Sequence, residues 1–221
     1  MMQAEDFKIV LEHTIAFVKK TFIGAEGGHD WFHTERVYKN AMLLAQEEEV
    51  NDQVVALAAL LHDIADSKFH EGDDTIGPKV ARNFLVAEGV PLSMQEAVVN
   101  IIQHISFKGG NLAASFSSNE LDVVQDADRL DAIGAIGIAR TFNYGGFKNR
   151  ALYDPSIAPQ LEMTPAQYKA SEAPTLNHFY EKLLLLKDRM NTETGTKIAQ
   201  ERHLYMAEFV QRFKSEWEGL K

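Results

Sequence analysis

The most apolar stretch of the chain ends in a histidine and an aspartate. Residues 54–61 read Val-Val-Ala-Leu-Ala-Ala-Leu-Leu, and His62 and Asp63 follow at once, before the more polar segment 64–68. A run of this kind belongs in a core, so the doublet lies at the edge of that core. Burying a polar or charged group without a partner costs several kcal/mol. A divalent metal ion is a partner that would satisfy both side chains.

Two further side chains of suitable chemistry, His33 and Asp128, lie upstream and downstream of the doublet. Because the chain has no cysteine, any metal must be held by nitrogen and oxygen atoms. Two imidazoles and two carboxylates suit one octahedral divalent ion, such as Mn²⁺, Ni²⁺, Co²⁺, Fe²⁺ or Mg²⁺, better than a closed structural zinc site. The coordination positions left open for water indicate catalysis, since a bound ion activates water and polarises a phosphoryl oxygen.

Apolar residues recur at helical spacing through most of the chain, and no convincing period-2 run appears. We therefore predict an all-α fold. The periodicity and the glycine stops give about eight helices, at about residues 3–20, 30–48, 52–63, 75–88, 93–106, 118–141, 164–188 and 193–218. Helix starts are predicted from capping residues, which are Asp30, Ser93 with Glu96, Thr164 before Pro165, and Thr175.

The length of 221 residues suits one sizeable core and is short for two. We predict a single domain over 1–221, with a core over about residues 1–145 and a helical C-terminal extension over about 146–221. The segment 142–165 is rich in Gly, Pro, Asn and Tyr and is too long for a routine connection. It is expected to be a lid or an insertion near a site.

The charge balance excludes one broad class of partner. There are 22 Lys and Arg against 32 Asp and Glu, a net charge of −10, which argues against a protein that binds a nucleic acid duplex through its phosphates. No apolar run approaches the roughly 20 residues that span a bilayer. The N-terminus lacks the features of a signal peptide. We expect a cytoplasmic monomer or homodimer without a membrane partner, acting on a small phosphorylated substrate.

Three carboxylates, Asp126, Asp128 and Asp131, lie within six residues of one another. At 100° per residue, Asp128 and Asp131 share a helix face, while Asp126 points roughly 200° from Asp128. At most two of them can enter one site. Asp126 and Asp131 are expected either to be solvated or to accept hydrogen bonds from the ligand histidines.

The ordered residues His33, His62-Asp63 and Asp128, the last within Ala-Asp-Arg-Leu at 127–130, resemble the HD-domain metal-dependent phosphohydrolases. The segments 29–33, 62–68 and 126–135 resemble a bacterial single-domain subgroup associated with nucleotide hydrolysis, including pyrophosphohydrolysis of nucleoside triphosphates. The resemblance implies an all-α helical bundle. It also implies a set of metal ligands, namely His33, His62, Asp63 and Asp128.

Candidate substrate contacts lie outside that set. Arg36 and Lys68 are candidate phosphate partners, because a polyphosphate needs cations that an acidic surface does not supply. His104 is a candidate substrate contact and general acid for the leaving group, and a structural hydrogen bond is its alternative role. With His62 and Asp63, Lys68 and His104 complete the predicted catalytic set.

Three alternatives stay open at this point. One is a phosphodiesterase or 5′-nucleotidase acting on a cyclic nucleotide or a monophosphate. Another is a catalytically silent HD module that binds nucleotide as a sensor or scaffold. The third is a helical bundle with a structural zinc ion, which should lack open coordination positions.

Overall fold

A computed structural model describes residues 1–24, 30–65, 75–105, 116–164, 167 and 170–220. These residues form helices and connecting turns, with no β-strand among them, so the all-α prediction is confirmed. None of the described helices is both long and apolar enough to cross a membrane. The helices, numbered in chain order, are α1 Ala4–Thr21, α2 Trp31–Ala45, α3 Asp52–Leu61, α4 Ile76–Ala87, α5 Leu92–His104, α6 Asn119–Asp131, α7 Gly134–Phe147, α8 Asn177–Glu181, a 3₁₀ helix Leu183–Arg189, and α9 Glu193–Trp217.

The chain divides into two compact units, Met1–Asp128 and Arg129–Lys221. The boundary lies within the last turn of α6, upstream of residue 145, where the sequence places the end of the core. A single domain over the whole chain stays a prediction. Each unit is described by itself below.

Helix α3 is the centre of the first unit. Every residue from Val54 to Leu61 is buried, and α3 packs against α1, α2 and α5, while α4 packs against α5. The side chain of Asn51 begins the helix by accepting hydrogen bonds from the backbone N–H groups of Gln53 and Val54. A helix that is apolar on all sides is stable only when it is surrounded. The end of α3 therefore lies inside the unit.

The second unit is built around α9. Helix α7 and the 3₁₀ helix pack along it. Phe142 of α7 and Phe179 of α8 contact Phe209 of α9, with ring centroids 5.9 Å apart in each pair. Such pairs add roughly 0.5–1.5 kcal/mol to the burial of their apolar area. The aromatic side chains of α9 thus form part of its packing face.

The helix predicted over 118–141 is wrong, because the structure has two helices there, α6 and α7. Ile133 is extended, with φ −125° and ψ 171°, and Gly134 has φ +74°. Glycine adopts positive φ at no steric cost, which lets the chain turn between two helices. Helix α7 then continues to Phe147, so the first part of the predicted 142–165 loop is helical.

The single helix predicted over 164–188 is wrong. In its C-terminal part the structure has two short helices, α8 and the 3₁₀ helix. Lys182, between them, has φ −144° and ψ −58°, which interrupts the helix. The Thr164 cap is confirmed: Thr164 Oγ1 accepts from Gln167 N at 3.3 Å, and Gln167 Oε1 accepts from Thr164 N at 2.8 Å. Pro165 lies outside the described residues.

The caps predicted at Ser93 and Thr175 are wrong. Helix α5 begins at Leu92, two residues before the start that a Ser93 cap requires, and Pro91 occupies the N-cap position with extended backbone. Ser93 thus lies inside the first turn. Leu176, rather than Thr175, precedes α8, and the Thr175 side chain is buried.

Candidate metal centre

His33 is brought into the first unit by the first turn of α2. The N-cap residue Asp30 is extended, and its Oδ1 accepts a hydrogen bond from the backbone N–H of His33 at 2.8 Å. This satisfies one of the N–H groups that a helix start leaves without a partner. The predicted cap is therefore confirmed, and it fixes the backbone of His33, whose side chain is buried.

His62 follows the last residue of α3 and is buried with it. Its Nδ1 lies 2.8 Å from the carbonyl oxygen of Ala59. A carbonyl only accepts, so Nδ1 carries the hydrogen, and in the neutral ring the lone pair is on Nε2. Nε2 is buried and makes no hydrogen bond with any residue that the structure describes. An imidazole oriented in this way by a backbone carbonyl is typical of metal ligands.

The donor atoms of His33, His62 and Asp128 converge, and all lie within 4.8 Å of one another. His33 Nε2 is 3.5 Å from Asp128 Oδ1 and 3.6 Å from Asp63 Oδ2. Asp63 Oδ2 is also 3.4 Å from His62 Nε2. The four residues that the sequence pattern selects therefore lie together, although they come from three separate helical segments.

The electrostatics of the cluster favour a cation. Burial alone disfavours the charged form of His62 and lowers its pKa, but the carboxylates of Asp63 and Asp128 outweigh burial and raise the pKa to about 9. The two carboxylates thus create a strongly negative potential around Nε2. The His33 side chain is 3% exposed and that of Asp128 is 44% exposed, so the cluster opens to solvent on the Asp128 side.

Helix α6 is held against α2 next to this cluster. The side chain of Asn40 donates a hydrogen bond to the carbonyl oxygen of Ala127 at 3.3 Å. Asn40 follows His33 by seven residues, which places both on one face of α2. The sequence reasoning missed Asn40, and its spacing from His33 was the signal that could have identified it.

The carboxylates flanking Asp128 have other environments. Asp126 is fully buried, and Asp131 is buried and forms an ion pair with Arg140 of α7. Of the two predicted alternatives, a solvated position is therefore wrong for both side chains, and hydrogen bonds from the ligand histidines to Asp126 stay a prediction. Asp131 is buried because it pairs with Arg140, which lies nine residues later in the chain. The helical periodicity of α6 does not reveal that partner.

Arg36 lies in α2, one turn after His33, and is half-buried. His104 is the last residue of α5, and its Nδ1 donates to the carbonyl oxygen of Asn100 at 2.8 Å. Gln125 of α6 donates to the carbonyl oxygen of His104 at 3.1 Å. Gln125 lies one turn before Asp128. Its bond to His104 therefore places the end of α5 next to the part of α6 that contains Asp128. Lys68 lies outside the described residues.

The residues present fit a divalent ion. Two imidazole nitrogens and carboxylate oxygens form a donor set suited to first-row divalent metals. In the neutral ring, the buried Nε2 atom of His62 has a lone pair directed into a group of acidic oxygens and lacks a donor among the residues described. A cation in that position would satisfy the lone pair and relieve the repulsion between the carboxylates.

Several known proteins are similar to this chain in sequence and in structure. The sequence matches the HD domain family over residues 31–133. It is 37% identical to YpgQ of Bacillus subtilis over 212 residues, covering 95% of this chain and 94% of that protein. The crystal structure of YpgQ in complex with ADP matches with a TM-score of 0.75 and 32% identity, covering 96% of this chain and 96% of that chain.

An HD-superfamily hydrolase from Bacillus thuringiensis has a crystal structure that matches with a TM-score of 0.77 and 41% identity. The match covers 96% of this chain and 98% of that chain. The matched residues include His33, the His62-Asp63 doublet and Asp128. The chain therefore belongs to the HD superfamily of metal-dependent phosphohydrolases, as its residues predicted.

Proposed function

We propose that this hydrolase cleaves a phosphoanhydride bond of a nucleotide and releases pyrophosphate from a nucleoside or deoxynucleoside triphosphate. The observation that carries the metal-dependent part is the buried Nε2 of His62, which lies beside the carboxylate of Asp63 and has no hydrogen-bond partner among the described residues. The nucleotide part is supported by a relative, since YpgQ was crystallised with ADP. ADP contains a phosphoanhydride bond of the proposed kind.

In this proposal His33, His62, Asp63 and Asp128 hold one divalent ion. Such an ion, when bound, lowers the pKa of a coordinated water and polarises a phosphoryl oxygen. The two buried histidines supply neutral nitrogen donors in fixed positions. The two carboxylates supply negative charge, and the partly exposed Asp128 marks the side from which substrate enters.

Phosphate recognition is assigned to cationic side chains that are close to the ligands in the sequence. Arg36 is one helical turn from His33, and its guanidinium suits two phosphate oxygens at once. Lys68 follows the doublet by five residues in the sequence and would supply a second cation. A protein with a net charge of −10 needs such local cations to bind a polyphosphate.

His104 is proposed as the proton donor to the leaving group. Its Nδ1 donates a hydrogen bond to Asn100 O, so Nε2 is the ring atom that would carry the transferred proton. In the reaction, a water oxygen forms a bond to the α-phosphorus, and the bond from that phosphorus to the bridging oxygen breaks. The leaving pyrophosphate takes a proton, and a nucleoside monophosphate is the other product.

The test is a panel of nucleoside tri-, di- and monophosphates incubated with purified protein and Mn²⁺, Ni²⁺, Co²⁺, Fe²⁺ or Mg²⁺. We expect pyrophosphate and a monophosphate from at least one triphosphate, and we expect His62→Ala to abolish turnover. Inorganic phosphate from a monophosphate would instead identify a 5′-nucleotidase. Nucleotide binding without turnover under every ion would identify a silent module. The monomeric or homodimeric state and the cytoplasmic location stay predictions.

A further inference from the structure

Asp128 lies in the last turn of α6, which ends at Asp131. The last four carbonyl groups of a helix have no partner within the helix, and a helix end frays unless other groups bind them. In α6 these carbonyls belong to residues 128–131, which include the proposed metal ligand, and those of Arg129 and Leu130 accept hydrogen bonds from the backbone N–H groups of Ala132 and Ile133. What binds the end of α6 therefore determines how firmly Asp128 is held.

Two arginines bind this helix end. Arg202 of α9 donates from Nη1 to the carbonyl oxygen of Leu130 at 2.5 Å. Arg140 of α7 donates from Nη1 to the carbonyl oxygen of Asp131 at 3.4 Å and also forms an ion pair with the Asp131 carboxylate. Asp131 is 1% exposed, so this pair is largely protected from solvent.

The charges have the sign that a helix end requires. The C-terminal end of a helix carries a partial negative charge, which cations stabilise by about 0.3–1 kcal/mol at the surface and more when partly buried. Removing one partner of a buried charge pair leaves the other charge uncompensated. Arg140 and Arg202 therefore act together on one turn of backbone.

The packing around Arg202 shows that its position is specific. A Cβ atom added to Gly134 would lie 3.0 Å from Cγ of Arg202 and 3.2 Å from its Cβ. Burial lowers the pKa of Arg202, and the Asp131 carboxylate opposes that effect. The Arg202 side chain thus packs against Gly134 at the turn between α6 and α7, where an added Cβ would be in tight contact with it.

We propose that Arg202 and Arg140 are positioning residues, which hold the last turn of α6 so that Asp128 is aligned to bind the metal ion. This proposal rests on the proposed function, since it takes Asp128 as a ligand. Neither arginine touches the metal or the substrate in this role.

The test measures Co²⁺ binding to the full chain by titration calorimetry and by the visible absorption of the bound ion. Arg202→Met and Arg140→Met should weaken Co²⁺ binding by about 10-fold, at the lower end of the 10- to 100-fold loss seen when groups supporting metal ligands are removed. The absorption bands should change in shape, because Asp128 is misaligned. Arg202→Lys should restore part of the affinity, since it keeps the cation.

Arg212→Met is the matched control, because Arg212 lies on the same helix and pairs with the exposed Glu216 at 2.5 Å. It should bind Co²⁺ as the unmodified protein does. Circular dichroism checks that each variant is folded. Should Arg202→Met not fold, Arg202→Lys and Asp131→Asn serve for the same measurement, with an expected affinity loss and band change.

The two proposals fail in different ways. Unmodified protein that binds no Co²⁺, or binds it equally well after His62→Ala, would overturn the metal site itself. Binding that depends on His62 but is the same, in affinity and spectrum, in the arginine variants would overturn only the positioning role.

Discussion

The Nδ1 atom of His62 lies 2.8 Å from the carbonyl oxygen of Ala59, three residues earlier in the chain. This bond places the ring hydrogen on Nδ1 and orients Nε2 toward Asp63. The backbone of α3, which is buried on all sides, thus sets both the tautomer and the direction of the imidazole. The core of the first unit and the chemistry of its site depend on the same helix.

Replacing His62 with alanine should remove the stabilisation that a divalent ion gives to the folded protein. An ion at 100 times its dissociation constant stabilises the native state by about 2.7 kcal/mol. We expect urea unfolding to show such a gain with Mn²⁺ for the unmodified protein and none for His62→Ala. His13→Ala is the control, since His13 is exposed and pairs with Glu88. An equal Mn²⁺ effect in His62→Ala would contradict the assignment.

Replacing Asp30 with alanine should weaken both the fold and the metal site. Loss of an N-cap side chain typically costs about 1 kcal/mol, and here it also releases the backbone N–H of His33. Urea unfolding and Mn²⁺ titration measure the two effects separately.

Thr192→Ala is a matched control for that change. Thr192 caps α9 through a bond of 2.9 Å to the N–H of Gly195, and it supports no proposed ligand. We expect a similar loss of stability in both variants and weaker Mn²⁺ binding only in Asp30→Ala. Weaker Mn²⁺ binding in both would show that the loss of affinity reflects general destabilisation.

The centre of the site could be predicted from sequence because its signals are local. His62 and Asp63 follow an apolar run, and this pattern predicts a polar pair at the edge of a core. Asp30 precedes a helical period, which predicts a cap and so the first turn that holds His33. Each of these inferences needs only neighbouring residues and the geometry of one helix.

The surroundings of Asp128 could not be predicted, because they depend on contacts between distant residues. The break at Gly134 lies inside a continuous helical pattern, where a single glycine is usually tolerated. The burial of Asp131 depends on Arg140, and the end of α6 depends on Arg202, which is 72 residues from Leu130. Tertiary partners overrode the local preference in each case.

Replacing Gly134 with alanine should destabilise the second unit more than strain alone explains. A non-glycine residue at positive φ costs about 1–2 kcal/mol. Gly134 adds a clash, because the new Cβ would lie 3.0 Å from Arg202 Cγ. We expect a loss of about 2–3 kcal/mol in urea unfolding from the two effects together.

Gly89→Ala separates these two effects. Gly89 has φ +67° and nothing within 4 Å of an added Cβ, so only the backbone strain applies. We expect it to lose about 1–2 kcal/mol. Equal losses at the two glycines would mean that Arg202 moves aside without cost, and would weaken the role given to its packing.

The stability of the protein should fall in acid partly because of His178. Burial, followed by the positive charges of Lys182 and Arg150, lowers the pKa of this imidazole from 6.5 to about 4. The folded state therefore keeps His178 neutral where the unfolded chain takes up a proton. The stabilising contribution is complete above pH 6.5 and decreases as the pH falls through that value toward 4.

His178→Gln should reduce this pH dependence, because glutamine keeps hydrogen-bonding groups but does not titrate. The shift corresponds to roughly 3 kcal/mol, and solvent screening at a half-buried side chain leaves about 1–2 kcal/mol. Urea unfolding at pH 7.5 and pH 4 would measure the difference between the two proteins. Lys182→Gln should give an intermediate result, since it removes one of the two cations. Identical pH profiles for His178→Gln and the unmodified protein would show that His178 is already protonated in the folded state.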